Sequence, residues 1–194
     1  MNLGTGGANL IKSHEGFSLK FYGDPVGYPT VGWGHLITRN RTYTKNTTGN
    51  AKDSLLTQAE ANALSSSLNL GYTSPISQSK ANTFFAEDTA DAVTAVNSLS
   101  LPSLSQSQFD ALVSLTFNGG PGVLDTKDVK AMLDYKQIYP DFHGPISKNE
   151  LDTCSKLVSK AFSYDRNLQR RRNQEATLFC KGRKYTHKYP VYTL

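Results

Sequence analysis

Charge, cysteine and long apolar runs are all scarce in this chain. Charged residues make up 19% of its 194 positions, and cysteine occurs twice, at Cys154 and Cys180. There is no run of 18 apolar residues, so no hydrophobic membrane-spanning helix and no membrane insertion are expected. The N-terminal MNLGTGGANL lacks the basic-then-apolar layout of a signal peptide, and export by the general route is therefore not expected. The chain reads equally as a domain of a longer polypeptide. None of His14, His35, His143 and His187 falls at ligand spacing with a cysteine, so no metal and no other cofactor is expected. The two cysteines lie 26 positions apart and read either as buried thiols or as a disulfide. Gly4-Thr5-Gly6-Gly7 and Gly119-Gly120-Pro121-Gly122 lack the preceding strand and following Lys-Ser/Thr of a phosphate loop. No elbow motif supports a Ser/His/Asp nucleophile, and neither an internal repeat nor a hydrophobic heptad is present.

In place of charge there is an abundance of Ser, Thr, Asn and Gln beside 38% hydrophobic and 10% aromatic residues, a composition that suits a globular domain. A chain of this length buries about 70% of the surface its unfolded form exposes and needs no staple to fold. The net charge of +5 is unevenly spread: from Lys156 to Leu194 ten Lys/Arg face Asp165 and Glu175, a net +8, and the preceding 155 residues carry −3. A basic C-terminal part suits a polyanionic surface such as nucleic acid, anionic lipid or an acidic cell wall.

The spacing of Leu10 and Ile11 from His14 and Glu15, with Gly16 as a stop, predicts a first helix ending at Glu15. Phe17, Leu19 and Phe21 then alternate with Ser18, Lys20 and Tyr22, the period of a strand. Gly23-Asp24-Pro25 and Gly27 make a turn, and TVGWGHLIT reads as a second strand. Residues 39–56 read as loop. Thr57-Gln58-Ala59-Glu60 is a capping box opening a helix with Ala61, Leu64 and Leu68 on its apolar side. After a loop at 70–79, a helix over about 80–98 carries Phe84, Phe85, Val93 and Val96 inward and stops at Leu101-Pro102. Ser105-Gln106-Ser107-Gln108 is a second capping box, before a helix whose Phe109, Leu112, Val113, Thr116 and Phe117 recur at helical spacing up to Asn118-Gly119-Gly120-Pro121. Further helices are expected at about 126–135, 148–162 and 167–180. The expected class is α+β, mainly helical, with one domain over 1–194. A small antiparallel β-bearing lobe (about 16–56) leans on a larger helical lobe (1–15 and 57–194), leaving a cleft between them, because a two- or three-stranded sheet cannot cover its own apolar face.

Glu15, Asp24 and Thr30 are three polar residues of a segment rich in glycine and aromatics, HEGFSLKFYGDPVGYPTVGWGH. A carboxyl at a helix end facing a second carboxyl on a tight turn can hold an acid and a water-positioning base on opposite sides of one bond. Each also has a plainer reading: Glu15 in a structural ion pair, Asp24 as a turn former before Pro25, and Thr30 as a strand residue.

The stretch LIKSHEGFSLKFYGDPVGYPTVGWGH resembles the active-site segment of the phage-type lysozymes, glycoside hydrolase family 24. In that family a Glu at the end of the first helix is followed nine positions later by an Asp and six further on by a Thr, with Gly-x-Gly-His closing the hairpin. The corresponding positions are Glu15, Asp24, Thr30 and Gly32-Trp33-Gly34-His35, without a gap. QFDALVSLTFNGGPGVL resembles the family's central helix and its following turn, and NLQRRRNQEATLFCKG its final helix. The loop at 70–79, YPDFHGPIS at 139–147 and the tail after Gly182 depart from the family pattern.

The resemblance implies a lysozyme-like fold and a muramidase that hydrolyses the β-1,4 bond between N-acetylmuramic acid and N-acetylglucosamine. Glu15 is then the general acid, its pKa raised by burial beside neighbours such as Phe17 or Tyr28. Asp24 stays ionised and orients the attacking water together with Thr30. The two carboxyls should stand roughly 6.5–9.5 Å apart if the product is inverted, and near ~5 Å if it is retained. Tyr28, Trp33, His35, Asn118 and Gly119 are candidate substrate contacts, His35 reading also as a structural hydrogen-bonder and Trp33 and Tyr28 as core aromatics. Independently of the resemblance, three consecutive helical residues cannot all face one way, so at least one of Arg170–Arg172 should point inward, with Glu15 or Glu175 as a partner. The implied partner is bacterial peptidoglycan, met as a monomer in the cell wall or periplasm after phage lysis or delivery by a secretion or uptake system. An immunity protein is expected only for an effector or bacteriocin. A non-hydrolytic wall-binding module is the alternative, and nucleic-acid binding through KGRKYTHKY a weaker one; no nucleic-acid partner is expected.

Overall fold

The first helix, α1 (Thr5–Glu15), starts on a side chain far away in sequence. Its opening N–H groups have no partner within the helix, and the Asp110 carboxylate takes two backbone N–H groups there, Gly4 at 2.8 Å and Gly7 at 2.9 Å. Gly16, at φ +65°, turns the chain out of the helix directly after Glu15. The structure, a computed structural model, describes residues 1–99, 104–133, 158–160, 162 and 168–181. The described residues gather into two packing units: Lys12–Ala90, and Met1–Ile11 with those from Asp91 on.

The first of these units holds the three-stranded antiparallel sheet, β1 (Ser18–Gly23), β2 (Pro29–Gly32) and β3 (His35–Leu36), in the order β1-β2-β3. Tyr22 pairs with Thr30 and Gly23 with Pro29, and Thr30 and Val31 pair with Leu36 and His35. TVGWGHLIT is therefore not one strand. Gly32 (φ +67°) and Gly34 (φ +84°) turn the chain at Trp33-Gly34 and split the segment into β2 and β3. The alternation in β1 is also broken by a register irregularity between Ser18 and Tyr22. Phe21 is fully buried, while Phe17 lies before the strand and is 42% exposed.

The core of this unit joins the sheet to helices. Phe21 and Val31 pack with Leu56, Ala61, Leu64, Ile76, Ala81 and Phe84, drawn from the sheet, α2 (Gln58–Leu68) and α3 (Gln78–Asn97). Each large side chain so buried contributes about 2 kcal/mol. That shared core is why the unit reaches from Lys12 to Ala90. Both bonds of the Thr57–Glu60 capping box form at the start of α2, and Ser77 Oγ accepts the Lys80 N–H at the start of α3. Residues 39–50 are loop, followed by a 3₁₀ turn at Ala51–Ser54.

In the second unit, α4 (Gln106–Gly119) opens with both bonds of the Ser105–Gln108 capping box and buries every residue from Gln108 to Thr116. It packs against α6 (Gln169–Lys181), whose Ala176, Phe179 and Cys180 are buried. A 3₁₀ turn at Pro121–Asp125 leads into α5 (Lys127–Leu133). Cys180 is disulfide-bonded. Cys154, the stop at Leu101-Pro102, YPDFHGPIS, the tail after Gly182 and most of the expected helix at 148–162 lie outside the described residues.

Candidate active site

Asp24 is fixed by its own turn. Its Oδ1 accepts three backbone N–H groups, from Val26 (2.8 Å), Gly27 (2.7 Å) and Tyr28 (2.8 Å), an arrangement that complements a negative oxygen. The Asp24 backbone adds bonds to Tyr28 O (2.9 Å) and from Gly27 N and Asn46 N (2.9 and 3.0 Å). With Oδ1 committed to the backbone, Oδ2 is the oxygen available to a ligand. Gly23 allows the next segment to cross here, because a Cβ at this position would run into the Thr44 carbonyl oxygen.

Thr30 is 3% exposed and sits on β2 opposite Tyr22. Its hydroxyl donates to Tyr28 O at 3.0 Å, so toward a ligand its remaining role is that of acceptor. Glu15 reaches the same place from the end of α1. A methyl placed on Gly34 would stand 3.8 Å from Glu15 Oε2, and φ +84° there favours glycine.

Glu15, Asp24 and Thr30 line one cavity of about 470 Å³ together with His14, Gly16, Tyr22, Pro25, Gly34, Leu36, Arg39 and Gly49. That volume falls in the range of ligand pockets. Tyr22 is 6% exposed, and its phenol pKa is pushed up to about 12, chiefly by burial and then by the negative charges of Glu15 and Asp24. A neutral phenol thus stands within Coulombic reach of both carboxyls. Sequence reasoning missed Tyr22 and Arg39 as site residues. The signal for Tyr22 was available: it lies two residues before Asp24, at the end of the strand that leads into the Asp24 turn.

The expected substrate contacts are placed differently. Tyr28 contributes its backbone to Asp24 and Thr30, and its ring lies under the Arg39 guanidinium, 5.6 Å from its carbon. Trp33 does not line this cavity. Lys12 Nζ sits 3.7 Å from its ring centroid, with Phe17 and Phe85 at 4.5 and 5.7 Å. His35 stacks on Phe84 at 3.9 Å and its Nδ1 meets Asp88 at 3.0 Å, on α3 and not on Glu15. Asn118 and Gly119 end α4, where Asn118 Oδ1 accepts from Arg172.

Of the three consecutive arginines, Arg171 and Arg172 point inward. Arg171 Nε lies 3.2 Å from Glu175 Oε1 and Arg172 lies 2.9 Å from Oε2, while Ser114 Oγ donates to Oε1 at 2.7 Å. Glu175, one of the two expected partners, is thus paired with both. Burial pushes the Glu175 carboxyl up, against the pull of Arg172, Ser114 and Arg171. Among the described residues no group of three His, Cys, Asp or Glu could hold a metal ion, and no helix is long and apolar enough to cross a membrane.

Known proteins resemble this chain in sequence and in fold. The endolysin of Bacillus phage B103 is 29% identical over 184 residues, covering 94% of this chain. The chain spans only 55% of that relative's length. The endolysin of Salmonella phage P22 is 29% identical over 136 residues, 70% of this chain and 75% of the relative. A solved structure of a P22 lysozyme mutant superimposes with a TM-score of 0.53 at 25% identity, covering 92% of this chain and 98% of that one. The model of the phage lysozyme family matches residues 12–175, a span that takes in the helix-end glutamate, the turn aspartate and the hairpin threonine. With its mainly helical fold and small three-stranded sheet, the chain belongs to the phage lysozyme family.

Proposed function

We propose that the protein is a muramidase that hydrolyses the β-1,4 bond between N-acetylmuramic acid and N-acetylglucosamine in peptidoglycan. The observation that carries this reading is the gathering of Glu15, Asp24 and Thr30 around one cavity of saccharide size. In this mechanism Glu15 enters as a carboxylic acid and gives its proton to the glycosidic oxygen as the bond to the anomeric carbon breaks. A water lies between Asp24 Oδ2 and Thr30 Oγ1. Since the Thr30 hydroxyl already donates to Tyr28 O, the water donates one hydrogen to Thr30 and one to Asp24. Its lone pair then faces the anomeric carbon, and Asp24 takes the proton released on attack. The ionised Asp24 also favours the positive charge developing on the ring. Exchange with solvent returns the proton to Glu15 and removes it from Asp24.

In the same reading the enzyme acts as a monomer on the bacterial wall, reaching it through phage lysis or a delivery system. An immunity protein would face it only as an effector or bacteriocin. Mass spectrometry of muropeptides released from purified walls tests the bond. The expected products carry a new reducing end on N-acetylmuramic acid and have gained one water. Reducing ends on N-acetylglucosamine, or anhydro products lacking that water, would rule the reading out.

A further inference from the structure

Arg39 lines the same cavity and has no role in the mechanism above. It is exposed, and no carboxylate among the described residues pairs with it. Its position is nevertheless set. The guanidinium lies over the Tyr28 ring, and Tyr28 donates its N–H to Asp24 Oδ1. The following segment is tied across the same turn, with Tyr43 N donating to Gly27 O at 2.8 Å and Asn46 N to Asp24 O at 3.0 Å. A cation is thus seated on the turn that fixes Asp24, with its planar fork of donors still available. Its surroundings in sequence are uniformly basic: from Pro25 to Lys52 the chain carries Arg39, Arg41, Lys45 and Lys52 and no acidic residue. An arginine held this way is suited to receive a carboxylate in two parallel hydrogen bonds.

The substrate supplies such a group at a defined place. An N-acetylated glycan backbone is uncharged, whereas the lactyl side chain of each muramic acid carries a stem peptide with free carboxylates. We propose that Arg39 is a specificity-determining residue that receives a carboxylate of the stem peptide borne by the muramic acid bound in the cavity, an inference that rests on the muramidase reading.

The test uses one wall preparation freed of attached phosphate polymers, half of it with its stem-peptide carboxylates converted to neutral amides by a carbodiimide and ammonium, since amidase treatment would leave a free lactyl carboxylate in their place. The readout is the ratio of kcat/KM on carboxylate-bearing to amidated wall, which is insensitive to any general loss of activity. For the wild type a ratio of about ten is expected, carried mainly by KM, which corresponds to about 1.4 kcal/mol. In Arg39→Gln the ratio should fall to about one, with the thermal melt of the exposed-site variant unchanged. A ratio in Arg39→Gln equal to that of the wild type overturns the proposal. Failure of the underlying reading shows separately, as Glu15→Gln cleaving both substrates at the wild-type rate.

Discussion

Replacing Glu15 by Gln is expected to slow peptidoglycan hydrolysis by about a thousandfold, within the range attributed to a positioned proton donor, and to leave the folded state intact. The amide has nearly the shape of the carboxyl and stays at the end of α1 beside Gly34 and Tyr22, but it has no proton to give at the glycosidic oxygen. Turbidity loss of purified walls measures the rate, and co-sedimentation with the same walls measures binding, which should change little. The pair of readouts also separates an enzyme from a wall-binding module on the same fold. A module would clear turbidity with neither protein, whereas equal clearing rates in wild type and variant would place the acid elsewhere.

The largest loss of stability is expected from Glu175→Ala. Glu175 and Arg172 are fully buried and Arg171 is 4% exposed, and both guanidiniums approach the carboxylate. Replacing such a cluster by hydrocarbon can be neutral, but breaking a buried pair by removing one partner costs about 3–5 kcal/mol. For a chain of this size that corresponds to a drop of roughly 10 °C in melting temperature. Ser114 also loses the oxygen to which its hydroxyl donates, although Asn118 still accepts from Arg172. Thermal or denaturant unfolding checks this, and a loss below about 1 kcal/mol would show that the α4–α6 pairing does not depend on the cluster. The two variants should therefore dissociate, Glu15→Gln losing rate without stability and Glu175→Ala losing stability.

Local signals were the legible ones. Thr57–Glu60 and Ser105–Gln108 announce α2 and α4 because a capping box is a bond between residues three apart, and both form. The Glu15, Asp24 and Thr30 spacing was readable for a similar reason: a helix end, a turn and a strand pair of fixed length bring three short segments to one cavity. What depends on partners distant in sequence was less visible. An isolated Asp110 in a buried helix gives no hint that Gly4 and Gly7 supply its donors. The seating of Lys12 on the Trp33 ring, across 21 positions of sequence, has no local signal either. His35 reads as a structural hydrogen-bonder, but nothing local points to Asp88 on α3 as its partner. Arg39 had no local signal, since its place depends on the Tyr28 ring and on residues 43–46 crossing the Asp24 turn. The splitting of TVGWGHLIT was hidden because a glycine in a strand pattern marks either a crowded strand or a turn, and only the positive φ at Gly32 and Gly34 decides between them.

The stereochemistry of the first product formed tests the roles given to Asp24 and its water most directly. A water held by Asp24 and Thr30 attacks the face opposite the leaving oxygen, so the β-linked muramic acid must appear as the α-anomer. Proton NMR within the first minutes of digestion, before the anomers equilibrate, distinguishes the two. The α-anomer is the predicted result; a β-anomer would mean that a covalent intermediate forms and that Asp24 does not deliver water in the first step.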